Sequence, residues 1–137
     1  MIVMIKQIDH IGIAVKDLKE AMSIYGDILG LKFISTEEIE EQNIIHSTFL
    51  AGRVKIELVQ PTHPESTVGK FIEKRGEGIH HIAFRVENIE ESLKELSKKK
   101  VNLIDKKARI GADGAKIAFI HPKDMKGVLL ELVEISK

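Results

Sequence analysis

The sequence predicts an α+β fold of two tandem modules, each a strand, a helix and a run of three further strands. Three observations carry that prediction. The stretch "IDHIGIAV" at residues 8–15 returns as "IHHIAFRV" at residues 79–86. Each copy leads at once into a helix start with an Asx residue followed three positions later by glutamate. A later stretch, "VKIELV" at 54–59, returns as "VLLELV" at 128–133.

Aligning His10 with His81 gives an offset of 81 − 10 = 71. At that offset Ile11 meets Ile82, Val15 meets Val86, Leu18 meets Ile89, Met22 meets Leu93 and Tyr25 meets Leu96. Asp17 meets Asn88 and Glu20 meets Glu91, which places an N-cap residue and a capping-box glutamate at the same point of each copy. Glu57 meets Glu131 at 131 − 57 = 74, a net insertion of three residues in the second copy. Chance similarity between Ile/Val-rich strands is the alternative. Caps, glutamates and apolar helix positions all match in register, and that points to internal duplication.

Period-two and three-to-four-residue patterns then divide the chain. The first copy reads as strands at about 8–15, 31–36, 43–51 and 53–60, with a helix at 17–29 closed by Gly30. The second reads as strands at about 79–86, 102–107, 115–121 and 127–135, with a helix at 88–99. Between them "THPESTVGKFIEKRGEG" predicts a linker helix from Ser66 to Lys74, stopped by Gly76 and Gly78. Residues 1–137 are expected to form a single domain, with module one at about 6–61, the linker helix at about 65–75 and module two at about 78–136.

Composition removes several functions. The 21 basic side chains balance 21 acidic ones, where a nucleic-acid protein would show a basic surplus. Lys98, Lys99 and Lys100 suit a solvated helix end. There is no cysteine, hence no disulfide framework or thiolate chemistry, and no apolar run approaches the roughly 20 residues that span a bilayer. The opening "MIVMIKQ" is too short for a signal peptide. A soluble, cytoplasmic protein is expected, with a core of Ile, Leu and Val, since Trp is absent and aromatics are few.

Strand residues alternate faces. Ile11, Ile13 and Val15 share one face of the first strand, and His10, Gly12 and Ala14 share the other. In the second copy Ile82, Phe84 and Val86 oppose His81, Ala83 and Arg85. The small neighbours leave space beside each imidazole. Glu57 and Glu131 each lie within an apolar strand, where an inward, unpaired carboxylate is costly. Singly, such residues are usually structural or solvent-facing. Together, His10, Glu57, His81 and Glu131 give one imidazole and one carboxylate per copy, a set that would make a divalent metal site if it converges on one cavity. Mixed N/O ligation suits Co²⁺, Mn²⁺, Ni²⁺, Zn²⁺ or Fe²⁺. By the same parity His80 points away from His81, and Gln60 away from Glu57.

With those positions identified, the chain is similar to the vicinal oxygen chelate superfamily, which includes glyoxalase I and extradiol dioxygenases. Within it the methylmalonyl-CoA epimerase family is the nearer match. The resemblance rests on "DHIGIAV" at 9–15, "EEQ" at 40–42 before a strand, "ESTVGKFIEKRGEGIHHIAF" at 65–84 and "HPKDMKGVLLELVE" at 121–134, and covers nearly the whole chain. It implies two βαβββ modules forming a curved mixed sheet around a metal site. The implied reaction is R/S interconversion of methylmalonyl-CoA by α-proton abstraction through a metal-stabilised enolate. The implied ligands are His10, Glu57, His81 and Glu131, with glutamine replacing Glu57 in some relatives. One divalent ion per chain is implied, Co²⁺ being favoured over Mn²⁺, Ni²⁺ or Zn²⁺.

The resemblance further implies that Glu131 doubles as one acid/base group. Some relatives have a glutamate where this chain has His46, so His46 is the candidate for the second group; a bystander histidine is the alternative. Ser66 and Thr67 at the linker-helix start, and Lys123 in the "HPKD" turn, are candidates for substrate binding, against plain capping and a solvated lysine. A homodimer acting on an acyl-CoA thioester is expected, without nucleic acid or membrane. A glyoxalase-type lyase or a metal-free binding module of the same fold are the rival readings.

Overall fold

In each module the first and last strands pair in parallel, a geometry that requires a crossover connection. β1 (Ile5–Ala14) pairs with β4 (Val54–Pro61) with Gly12 opposite Glu57. β5 (Gly78–Val86) pairs with β8 (Leu130–Glu134) with Ala83 opposite Glu131. Gly12 and Ala83 are equivalent at the first offset of the repeat, and Glu57 and Glu131 at the second, so the duplication extends from sequence to register. The structure, a computed structural model, describes residues 5–135. Residues 1–4 and 136–137 of the expected single domain, including the last position of module two, lie outside the described residues.

The helices are α1 (Leu18–Met22), which continues as a π-helical turn over Ser23–Ile28, α2 (Thr67–Arg75) and α3 (Ile89–Lys98). The remaining strands are β2 (Lys32–Ile39), β3 (Ile44–Ala51), β6 (Arg109–Ile110) and β7 (Lys116–Ile120). The strands follow the order β2-β3-β4-β1-β5-β8-β7-β6 in a mixed eight-stranded sheet. Among the described residues no helix is long and apolar enough to cross a membrane.

The chain divides into two compact units. One comprises residues 10–80; of the described residues, the other comprises 5–9 and 81–135. β1 and β5 therefore each begin in one unit and continue in the other. In residues 10–80, α1 packs Leu18 and Ala21 on Val15, Phe49 and Leu58, while Val68 of α2 packs with Ala14, Ile44 and Val59. In the second unit, Ile89 and Leu93 of α3 pack on Val86, Ala118, Ile120 and Leu132. A smaller cluster joins Ala83, Ala115, Ile117 and Val133.

Both expected caps form: Asp17 Oδ1 accepts from the Glu20 N–H at 3.1 Å and Asn88 Oδ1 from the Glu91 N–H at 3.0 Å. Each helix start has a second acceptor sent from the last strand of its module. Gln60 Oε1 accepts from the Leu18 N–H at 2.7 Å, and Glu134 Oε1 from the Ile89 N–H at 2.8 Å. These donors and acceptors obey the same two offsets as the rest of the repeat. Alternation in β4 thus gives Gln60 to the helix side and leaves Glu57 for the other.

The structure departs from the sequence expectations at three places. The helix expected at 17–29 widens to a π turn from Ser23, where Gly26 approaches Phe49 so closely that an added Cβ would lie 3.0 Å from its ring. It ends as expected at Gly30, which has a φ of 76°. β2 runs beyond the expected 31–36 to Ile39 and carries a bulge between Phe33 and Ser35. The strand expected at 102–107 does not form; Leu103 makes a single bridge to Ile120, and pairing resumes only at Arg109–Ile110. There, side chains share the hydrogen bonding with the backbone: the Asn102 N–H donates to Asp124 at 2.7 Å and Asp105 accepts the Phe119 N–H at 2.9 Å, beside backbone bonds from Ile104 to Phe119 and from His121 to Asn102.

Glu134→Ala should remove one acceptor from the α3 N-terminus. A loss of about 1–2 kcal/mol in urea-unfolding stability is expected, the range for helix caps. An unchanged midpoint would mean that water replaces the carboxylate at no cost.

Candidate active site

In residues 10–80 three polar side chains stand on one face of neighbouring strands. Parallel pairing puts Lys55 opposite His10 and Glu57 opposite Gly12. Antiparallel pairing puts Thr48 opposite Glu57 and His46 opposite Val59. Gly12, lacking a side chain, leaves the space beside Glu57 open. His10 Nε2 lies 3.5 Å from Glu57 Oε1, and His46 Nδ1 lies 3.7 Å from the same oxygen. Both imidazoles are buried, at 5% and 4% exposure. On its other side, His46 Nε2 faces Glu37 Oε1 at 3.6 Å. That nitrogen is fully buried and makes no hydrogen bond among the described residues.

The other unit repeats the couple. His81 Nε2 lies 3.2 Å from Glu131 Oε1, and both residues are buried. Phe119, opposite Glu131 in the β7–β8 register, meets the His81 ring edge-on at 5.8 Å. Arg109 lies over the Phe119 ring and pairs with Asp105. One residue before His10, the carboxylate of Asp9 is 2% exposed and takes the Arg85 guanidinium at 2.8 Å. This bond ties the start of β1 to the strand that carries His81.

The chemistry of both couples suits a divalent ion. Ligand atoms bonded at ~2.1 Å to one ion, at angles between octahedral and tetrahedral, stand ~3.0–3.4 Å apart. The His81–Glu131 spacing of 3.2 Å falls within that separation, and the His10–Glu57 spacing of 3.5 Å lies just above it. Imidazole and carboxylate donors suit Mn²⁺, Co²⁺, Ni²⁺ and Zn²⁺. The burial of such couples is costly without a compensating charge.

The remaining candidates are placed apart from these couples. Ser66 is the N-cap of α2: its Oγ accepts the Gly69 N–H at 3.0 Å and donates to the His63 carbonyl at 2.7 Å. Its hydroxyl thus performs the capping that the sequence left open against anion binding. Thr67 and Lys123 are exposed, Lys123 on the 3₁₀ turn Pro122–Met125 capped by His121 Nδ1. His80 packs edge-on against Phe71 of α2, separated from the role of His81 as strand parity requires. Glu37 was not anticipated, because it lies beyond the strand expected at 31–36, and in strict alternation from the Lys32–Leu50 pair Thr36 would face His46. The β2 bulge changes that parity.

Comparison with known proteins places the chain. Residues 9–119 match the model of the Glyoxalase/Bleomycin resistance protein/Dioxygenase superfamily. An uncharacterized protein of Bacillus subtilis, YqjC, is 49% identical over 93% of this chain and 91% of its own. The mitochondrial methylmalonyl-CoA epimerase of Mus musculus is 35% identical over 92% of this chain and 71% of its own. A variant of Streptomyces coelicolor methylmalonyl-CoA epimerase, solved in complex with 2-nitronate-propionyl-CoA, superposes with a TM-score of 0.93 at 36% identity, covering 97% of this chain and 99% of that one. The chain belongs to the glyoxalase/bleomycin resistance protein/dioxygenase superfamily, and within it is similar to methylmalonyl-CoA epimerases over nearly its whole length.

Proposed function

We propose that this chain is a metal-dependent methylmalonyl-CoA epimerase. In this reading His10, Glu57, His81 and Glu131 hold one divalent ion, and Glu131 and His46 move the α-proton. The observation that carries it is the pair of His–carboxylate couples, with His10, His81 and Glu131 buried and Glu57 half-buried, set in equivalent register by the duplicated parallel pairing. Each unit contributes one couple, His10 with Glu57 at 3.5 Å and His81 with Glu131 at 3.2 Å. Co²⁺ is the ion the family resemblance favours.

The substrate carries its acidic C–H between a thioester and a carboxylate. When bound, a divalent ion supplies Lewis-acid stabilisation of the charge that develops on oxygen as this proton leaves. Inversion also needs a proton carrier on each side of the planar carbanion. Glu131, 4% exposed, is the carrier assigned to one side, as a buried carboxylate held against His81. His46 is assigned to the other; an imidazole exchanges protons readily near neutral pH. The Streptomyces relative supports the substrate class, since it holds a nitronate analogue of a propionyl-CoA thioester. Ser66, Thr67 and Lys123 are the assigned substrate contacts, Thr67 and Lys123 being exposed and Ser66 also capping α2. The reading includes a cytoplasmic location and a homodimer, the latter supported by the family resemblance.

Purified enzyme should interconvert the two epimers of methylmalonyl-CoA, lose activity to a chelator and regain it with added Co²⁺ or Mn²⁺. Turnover of a glutathione hemithioacetal by an epimerase-inactive, metal-loaded protein would move the assignment to a lyase. Separately, His10→Ala and His81→Ala should remain folded yet lose tight metal binding by elemental analysis; full retention in both refutes the ligand set. His46→Ala should lower kcat ~10²–10⁴-fold with metal content unchanged. Exchange of the α-proton with deuterated solvent should continue from one epimer in that variant while inversion slows. Near-parental inversion would make His46 a bystander.

A further inference from the structure

We infer that Glu37 is a positioning residue for His46, its carboxylate taking the Nε2–H so that Nδ1 is left as the proton acceptor. The inference deepens the proposed function and rests on its reading of His46 as the second proton carrier. Two observations point to it independently of that reading. First, His46 Nε2 is buried without a hydrogen bond among the described residues, and an unmet buried polar group is costly. The facing acceptor is Glu37 Oε1 at 3.6 Å, on a side chain that is 44% exposed and free to close the small remaining gap.

Second, the backbone is built to put Glu37 there. Phe33 pairs with Phe49, but Ser35 pairs with Thr48, so one residue of β2 is skipped in the bulge between them. Without that skip Ile34 would face Thr48 and Thr36 would face His46. With it, Glu37 is directly opposite His46. Bulges are frequent where a strand must re-aim a side chain next to a reactive group.

The imidazole therefore has carboxylates on two sides, Glu57 at Nδ1 and Glu37 at Nε2. They are not equivalent. Glu57 faces His10 as well as His46 through the same Oε1, and is assigned to the metal, which compensates its charge. Both carboxylates stand beyond hydrogen-bond distance, at 3.7 Å and 3.6 Å, but Glu57 is held by its assignment to the ion whereas the more exposed Glu37 side chain can close its gap. Glu37 has no such competing assignment, so the ring proton is fixed at Nε2. In the reaction the α-proton then passes to the Nδ1 lone pair, the C–H electron pair stays on the substrate, and the Nε2–H remains on Glu37. Inversion is completed by a proton delivered from Glu131 on the opposite face, so His46 ends with one proton more and Glu131 with one fewer, and exchange with solvent restores both.

The test is the tautomer of His46, read from ¹⁵N shifts and long-range ¹H–¹⁵N correlations in ¹⁵N-histidine-labelled protein loaded with diamagnetic Zn²⁺. His46→Gln identifies the resonances. The expected parent spectrum shows a pyrrole-type Nε2 and a pyridine-type Nδ1. Glu37→Ala should lose this preference, and Glu37→Gln should retain it because the amide oxygen still accepts. In epimerase assays Glu37→Ala should lower kcat at least ~10-fold with KM and metal content unchanged, and Glu37→Gln should recover part of the loss. A His46 protonated at Nδ1 in the parent, or a spectrum unmoved by Glu37→Ala, overturns the inference. A failure of epimerase activity, or a neutral His46→Ala variant, would instead defeat the functional reading and leave the tautomer result standing.

Discussion

The parallel pairing between the first and last strand of each module is the constraint on which the candidate site depends. A parallel register cannot be made by a tight turn, so each module needs a helix and further strands to return the chain. That return places Glu57 beside the first strand two residues beyond His10, and Glu131 beside β5 two residues beyond His81. The opposing residues, Gly12 and Ala83, are the smallest available, and larger side chains there would fill the space the carboxylates use. A one-residue slip in either register would turn each carboxylate to the helix side, where Ile56, Leu58 or Leu132 now supply the apolar core.

The same alternation supplies the helix caps. Gln60 and Glu134 lie three residues beyond Glu57 and Glu131, so they face the opposite way and reach the α1 and α3 N-termini. Each last strand therefore has a dual role, with one oxygen-bearing side chain on the site face and one closing the helix that covers its back. Orientation of the site carboxylates and anchoring of the helices are thus coupled through one short strand. Stability and site geometry share that element, and a substitution in it acts on both.

Duplication accounts for the paired donors but not for the proton carriers. His46 is equivalent to Ile117 in the second module, which belongs to an apolar cluster with Ala83 and Val133. Symmetry is broken at that position, and the bulge in β2 breaks it again by bringing Glu37 into line. The first module thereby gains a chain of ionisable side chains, Glu57, His46 and Glu37, where the second has Glu131 beside the aromatic ring of Phe119. Two equivalent sets of donors suit a symmetric demand such as holding an ion. Two unlike environments suit a reaction that takes a proton from one side and returns it from the other.

The sequence by itself determined the repeat, its two offsets, the caps at Asp17 and Asn88, and the four residues His10, Glu57, His81 and Glu131. These follow from short-range rules: a period of two in strands, a period near four in helices, and the hydrogen-bonding preferences of Asx residues at helix starts. Tertiary structure decided what those rules cannot reach. Ser66 could bind an anion or cap a helix on sequence grounds, and the chain geometry around His63 and Gly69 makes it the cap of α2. In place of the strand expected at 102–107, Asp105 and Asp124, distant in sequence from Phe119 and Asn102 respectively, accept their backbone N–H groups. Glu37 was hidden because a bulge resets side-chain parity, and a bulge is set by how two strands pair rather than by the residues of either one. Local periodicity records which residues share a face, whereas register and hydrogen-bond competition between distant segments decide which of them meet.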